Sequence, residues 1–273
     1  MRRKKLSLPK PHLSPSAVTR YLLCPYSYYL QDVCGHRSTT SVFAIEGKKL
    51  HEVWEANNRH KASKGEDKNE DELVETWRDS WSDGKKEVPP DGWHDQNADV
   101  IDARGVTFIK KYRKNKAPAI IPVSTEHVEY QVTGRISGVP MLGYIDLRRK
   151  GTDTKVSRRS RDHKPPDVIL DYKTVKSKKN EAHLEKDIQM GVYALLDGTP
   201  HVSHMQFVKN KDPKVESIQA ARTPRSLENT ARVVRGVAEA ISAGVFPFCL
   251  PDSWKCQSKY CGVWQHCPQG GKR

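Results

Sequence analysis

Val168-Ile-Leu-Asp-Tyr-Lys173 sets three apolar residues, an acid, an aromatic ring and a base in six consecutive positions. A short apolar run of this kind, opened by β-branched residues, reads as a buried strand. Side chains alternate along a strand, so Asp171 and Lys173 fall on one face. Upstream, Val128, Tyr130 and Val132 alternate with polar neighbours, and Val139 to Leu147 is a second extended run after the turn-like Ser137-Gly138. Together they predict an antiparallel hairpin that ends in Gly143-Tyr-Ile-Asp146. A neighbouring strand then brings Asp146 beside Asp171 and Lys173, so that two carboxylates and one ammonium converge. Carboxylate oxygens are the hard ligands that Mg²⁺ or Mn²⁺ needs, with positions left for water and a substrate phosphate. Such an ion polarises a phosphodiester and helps form hydroxide, while Lys173 orients the attacking water and stabilises developing charge. The competing reading is an Asp/Lys ion pair on a solvated face, which is the commoner case for the pair taken alone.

On either side of these strands the apolar period becomes helical. Ser14-Pro15 reads as an N-cap followed by proline at the first helical position, predicting a short helix through Tyr21 that stops at Cys24-Pro25. A second helix is expected over about 42–59, with Ile45, Leu50, Val53 and Trp54 apolar and His51 beside them. A lone histidine there is usually structural, the alternative being a further metal ligand. Residues 61–88 mix charges with Trp77 and Trp81, predicting an exposed helix between flexible joints. Val100, Phe108, Ile109 and Tyr112 fit a long helix over about 95–116 that Pro118 ends. After the Asp171 strand, residues 181–196 form a helix with Gln189 and Tyr193 four apart on one side. Strands over about 203–209 and 215–220, a helix over about 225–243 and a cysteine-rich tail complete the chain. This order predicts an α/β (α+β) protein with a mixed central sheet flanked by helices. Four regions are expected in one compact unit: an N-terminal segment 1–40, a helical region 41–120, a core 121–244 and a tail 245–273.

Of the 273 residues, 47 are Lys or Arg and 33 Asp or Glu, a net charge of +14 that favours a polyanionic partner, nucleic acid first and an acidic membrane surface second. Between Arg148 and Lys179 twelve bases face four acids, so +8 of the +14 is concentrated in one patch. The longest near-apolar run, Ala117 to Val123, holds two prolines and is too short to cross a bilayer. The basic start Met1-Arg-Arg-Lys-Lys5 is followed by Pro9, Pro11 and Ser14 where a signal peptide needs an apolar core, so the expected location is cytoplasmic. Six cysteines in a chain of this size without a signal point to metal or cluster ligation rather than disulfides. Cys256, Cys261 and Cys267 are closely spaced, and local spacing suggests zinc with His266 as a fourth ligand. An iron-sulfur cluster on four thiolates is the alternative, with Cys24 returning from the other end of the chain. Cys34 and Cys249 stand outside this count and read as small apolar residues. Trp254, Tyr260 and Trp264, interleaved with the late cysteines, either pack around the metal or stack on bases.

Taken in order, Cys24-Pro25, Gly47-x-x-x-His51, Gly143-x-x-Asp146, Asp171-x-Lys173, Gln189-x-x-x-Tyr193 and the three late cysteines resemble the PD-(D/E)XK nuclease superfamily over about residues 14 to 267. Specifically they resemble its RecB-like iron-sulfur branch, which includes the AddB nuclease domain and small CRISPR-associated and phage exonucleases. The resemblance implies a restriction-endonuclease-like core. It implies Mg²⁺ or Mn²⁺ held by His51, Asp146, Asp171 and the Tyr172 carbonyl, with Lys173 as the catalytic lysine and Gln189 and Tyr193 contacting DNA or supporting the site. It also implies a 4Fe-4S cluster on Cys24, Cys256, Cys261 and Cys267 that joins the two ends of the chain. The activity implied is that of a metal-dependent DNA exonuclease preferring single-stranded DNA or ends, in recombination, repair or phage DNA metabolism. Two alternatives stand beside it: a non-catalytic DNA-binding subunit of a recombination or CRISPR spacer-acquisition complex, and a zinc-dependent nucleic-acid adaptor. Helicase motifs are absent, so unwinding falls to a partner, and ring-like relatives raise the expectation of a homo-oligomer. Two departures are Asp171, where many relatives carry Glu, and an insertion from Lys150 to Pro166.

Overall fold

Ser137 and Gly138 both take positive φ, 49° and 83°, as the two central residues of a type I′ hairpin turn must. The turn pairs β1 (Val128–Ile136) with β2 (Val139–Arg149) antiparallel, from Ile136–Val139 back to Val128–Leu147. β3 (Val168–Val175) adds antiparallel to β2, β4 (His201–Val208) parallel to β3, and β5 (Lys214–Ala221) antiparallel to β4. The five described strands thus form one mixed sheet in the order β1-β2-β3-β4-β5, as expected from the sequence. This computed structural model describes residues 6–151 and 165–270. Most of the basic insertion, 152–164, and the basic start, 1–5, lie outside the described residues.

Helices cover both faces. α1 (Pro15–Leu23) starts at Ser14, whose hydroxyl accepts the Ala17 N–H at 3.1 Å, and ends at Cys24. Cys24 in turn caps α2 (Pro25–Tyr28), its Sγ accepting the Ser27 N–H at 3.4 Å. α3 (Val42–Lys64) runs five residues past the expected end, to Gly65 in the left-handed region at φ 84°. α3 packs with α4 (Glu70–Gly84) and α5 (Ala98–Asn115) on one face of the sheet, against Leu147, Leu170, Tyr172, Met205 and Phe207. Between β3 and β4 the chain crosses over through α6 (Glu181–Leu184) and α7 (Ile188–Asp197), not the single helix expected. Asp187 breaks it by capping α7, its carboxylate accepting the Met190 N–H at 3.0 Å. α7, α1 and α8 (Pro224–Ser242) cover the opposite face. No described helix is long and apolar enough to cross a membrane.

α4 corrects the expectation of an exposed helix. Trp77 and Trp81 are 0% and 3% exposed, their rings stacked 5.6 Å apart. The charges sit on the outer face, while Leu73, Val74, Trp77 and Trp81 make one apolar stripe against α3 and α5. Trp77 donates its indole N–H to Asp102 Oδ1 at 2.7 Å, and its ring lies against Gly105 of α5, where a Cβ would overlap it. Gly105→Ala gains about 1 kcal/mol of helix propensity but overpacks a closed contact at about 1–3 kcal/mol. The variant is therefore expected to unfold at lower urea concentration than the wild type, and a raised midpoint would contradict this packing.

Candidate active site

The ladder between β2 and β3 pairs Leu147–Leu170, Arg148–Ile169 and Arg149–Val168 and then stops. Past that point the Asp146 carboxylate takes the place of a ladder partner, Oδ2 accepting the Tyr172 N–H at 2.8 Å. Asp171 and Lys173 follow on β3 and share a face, as alternation requires. Lys173 Nζ lies 3.0 Å from Asp171 Oδ1 and 2.9 Å from Oδ2. Above the gap, α3 approaches β3 so closely at Gly47 that a Cβ there would lie 3.2 Å from Thr174 Oγ1. One turn on, His51 reaches the same place, with Nε2 donating to the Tyr172 carbonyl at 2.8 Å and Nδ1 3.5 Å from Asp146 Oδ2. α7 contributes Gln189, whose Oε1 accepts from Lys173 Nζ at 3.0 Å. Its Nε2 donates to Asp171 Oδ1 at 3.3 Å and to the Tyr193 hydroxyl at 3.0 Å. The Tyr193 ring packs where Gly143 has no side chain, since a Cβ would stand 2.8 Å from it. Both glycines of the sequence pattern thus mark close approaches that let a functional side chain in.

His51, Asp146, Asp171, the Tyr172 carbonyl, Lys173, Gln189 and Tyr193 are therefore brought to one place. Two residues there escape the sequence reading. His204, opposite Asp171 in the parallel ladder, lies with Nε2 3.8 Å from Asp171 Oδ2. Glu129 sits across the hairpin from Asp146, and one ligand atom from each of His51, Glu129 and Asp146 falls within 4.8 Å of the others. Alternation with Val128 and Tyr130 makes Glu129 look solvent-facing. Counting back from the two-residue turn at Ser137-Gly138 would have set it opposite Asp146.

Burial, and then the neighbouring Asp171 charge, push the Asp146 carboxyl up to about 6, against the pull of His51, Lys173 and the Tyr172 N–H. Glu129 is pushed up to about 8, by burial first and then by Asp146, Glu55 and Asp171, with Arg59 opposing. Burial disfavours the Lys173 ammonium, but the Asp171 and Asp146 charges outweigh it and raise its pKa. These groups fit a divalent cation: the acids are held where they repel one another, and carboxylate and carbonyl oxygens are usual donors for Mg²⁺ or Mn²⁺, with the His51 imidazole as one softer donor beside them.

The late cysteines also converge. Cys24, Cys256, Cys261 and Cys267 line one small cavity with Leu30, Phe248 and Trp264 around them, and all six cysteines are free thiols. Cys249 lines it too, its thiol pushed up to about 12 by burial and by the Cys24 and Cys256 thiols, so it is not the isolated apolar residue its spacing suggested. His266 is absent from the lining and stacks on His36 at 4.1 Å. Trp254 and Tyr260 form an exposed edge-to-face pair at 5.6 Å.

The carboxylate crowding has a measurable consequence. With its folded pKa above the unfolded value, Asp146 binds its proton more tightly in the folded chain, so stability is lost as pH rises from 3.8 to about 6. In metal-free protein Asp146→Asn, which can still accept the Tyr172 N–H, is expected to melt above the wild type at pH 7 and close to it at pH 4. A difference independent of pH would overturn this account of the site.

Comparison with known proteins agrees with the geometry. The sequence profile of the PD-(D/E)XK nuclease superfamily matches residues 12–268. The crystal structure of a candidate exonuclease from Eubacterium rectale superposes with a TM-score of 0.56 at 11% identity, covering 90% of this chain and 86% of that one, a likeness of fold. A crystal structure of the protein SSO0001 aligns at a TM-score of 0.36 and 14% identity over 93% of this chain and 98% of that one, too low to bear on the fold. No curated protein sequence matches. The match over nearly the whole length, on a sheet that carries Asp146, Asp171 and Lys173 together, means that this chain belongs to the PD-(D/E)XK nuclease superfamily.

Proposed function

We propose that the protein is a metal-dependent DNA exonuclease that prefers single-stranded DNA or ends and serves recombination, repair or phage DNA metabolism. The observation that carries the reading is the gap between β2 and β3, where Asp146, Asp171 and Lys173 converge under His51. His51, Asp146, Asp171 and the Tyr172 carbonyl are the groups that would hold Mg²⁺ or Mn²⁺. The ion supplies Lewis-acid polarisation of the phosphodiester and a water of lowered pKa. The chain's own residues do the rest. Lys173, raised in pKa and tied to Asp171 and Gln189, keeps a fixed positive charge beside the reacting phosphate, where it orients the attacking water and stabilises the negative charge that develops. Gln189 spans Lys173, Asp171 and Tyr193, so it holds both the ammonium and the tyrosine hydroxyl in place for the strand. Lys176, Lys178 and Lys179 are exposed immediately after β3 and belong to the basic patch that would track the backbone. Phosphate contacts of this kind make activity fall steeply with salt.

Cys24, Cys256, Cys261 and Cys267 are the proposed ligands of a 4Fe-4S cluster, supported by their shared, largely apolar cavity and free thiols. Thiolate ligation there would staple the start of the chain to its end, so the cluster's effect falls on stability rather than on the phosphoryl chemistry.

The deciding experiment is hydrolysis of end-labelled linear single-stranded DNA by anaerobically purified protein, with Mg²⁺ or Mn²⁺ and then with chelator. Lys173→Ala is expected to slow hydrolysis by about 10²–10³-fold, and undiminished cleavage by a nuclease-free preparation of the variant would overturn the reading. The same preparation is expected to be brown, with iron and acid-labile sulfide that Cys24→Ser loses together with thermal stability. Stoichiometric zinc without sulfide would replace the cluster with a zinc site.

A further inference from the structure

We propose that Glu129 is a ligand of the divalent cation in this centre, adding a carboxylate to His51 and Asp146. The inference rests on the metal-dependent reading above and names a donor that the sequence pattern does not contain.

Three observations carry it. The first is geometric: ligand atoms of His51, Glu129 and Asp146 lie within 4.8 Å of one another, a nitrogen and two carboxylate oxygens of the kind hard or borderline dications take. Asp171 is not part of this group, its carboxylate being held by Lys173 and Gln189. Asp146 belongs to this group and also feels the charges of Asp171 and Lys173. The second is placement. The pairs Val128–Leu147 and Tyr130–Ile145 on either side set Glu129 across from Asp146, and its backbone is held at φ 49°, a conformation that costs a residue other than glycine about 1 kcal/mol or more.

The third is charge. Glu129 makes no hydrogen bond or ion pair among the described residues, and it is surrounded by Asp146, Glu55 and Asp171 with Arg59 as the opposing cation. Asp171 Oδ2 is fully buried and accepts no hydrogen bond, although Lys173 Nζ is 2.9 Å away. Asp146, Asp171 and Glu129 set three acids close together, with the Lys173 ammonium on Asp171 and Arg59 as the cation acting on Glu129. A carboxylate left half-buried without a donor, beside two others, is a cost that a cation bound in the centre would relieve.

The test uses the full chain, purified anaerobically and stripped of divalent metal, with Mn²⁺ as the probe. Free Mn²⁺ is counted by electron paramagnetic resonance, and the melting temperature is followed as Mn²⁺ is added, since an ion that binds the folded chain raises it. Glu129→Gln is expected to weaken Mn²⁺ binding by about 10-fold or more and to shrink the Mn²⁺-induced rise in melting temperature. Glu129→Asp, which keeps the charge but shortens the reach, is expected to fall between the two and serves if the amide variant folds poorly. Glu55→Gln, a neighbouring acid outside the donor group, is expected to bind Mn²⁺ as the wild type does. Wild-type affinity in both Glu129 variants, with binding abolished by Asp146→Asn, would overturn the role of Glu129 and leave the metal centre standing. Wild-type affinity in Asp146→Asn as well would overturn the metal centre itself.

Discussion

A backbone N–H buried between two parting strands must find an acceptor, and here the acceptor is a carboxylate. Tyr172 would lose its ladder partner where β2 leaves β3, at about 1–3 kcal/mol for an unpaired buried donor; Asp146 supplies the missing oxygen. That single bond lets the strands separate without penalty, and the separation is the space in which the chemistry sits. It also fixes the peptide whose carbonyl receives His51, so the same residue joins the sheet to α3. A side chain that substitutes for a strand is thus structural and chemical at once.

The centre is electrostatically unfinished in the metal-free chain. Asp146 and Asp171 are buried close together, and each would be better hydrated elsewhere. Lys173 answers one of these charges and is held charged in return. The arrangement trades stability for readiness: groups that repel without a cation are already in position when one arrives, so little reorganisation accompanies binding.

Much of this was legible in the amino-acid order, for reasons that are local. A two-residue turn demands positive φ, so Ser137-Gly138 announced the hairpin, and alternation put Asp171 and Lys173 on one face. His51 was different: on helical periodicity it is one residue among apolar neighbours, and only the ordered resemblance gave it a role. What failed was whatever depends on which surface covers which. α4 looked exposed because charge is counted along a chain, whereas burial is decided around a helix, and Trp77 and Trp81 share the inner side. Glu129 was hidden by its own regular alternation. Cys249 was hidden by a turn that folds it back on the later cysteines.

The joining of the two ends sets the timing of assembly. Tyr26 donates its N–H to the Pro247 carbonyl and Thr39 to that of Gly262, at 3.1 and 2.8 Å, while Phe248 and Phe246 pack on the rings of Tyr26 and Tyr29. These partners are separated by most of the chain, and a ribosome adding about 5–20 residues per second needs on the order of tens of seconds to make the second after the first. Throughout that interval the nuclease sheet can pair and its helices can dock, yet Tyr26 and Tyr29 lack the phenylalanine rings that pack on them. Residues 246–262 are therefore what closes residues 26–39, and the growing chain carries that aromatic surface open until they emerge.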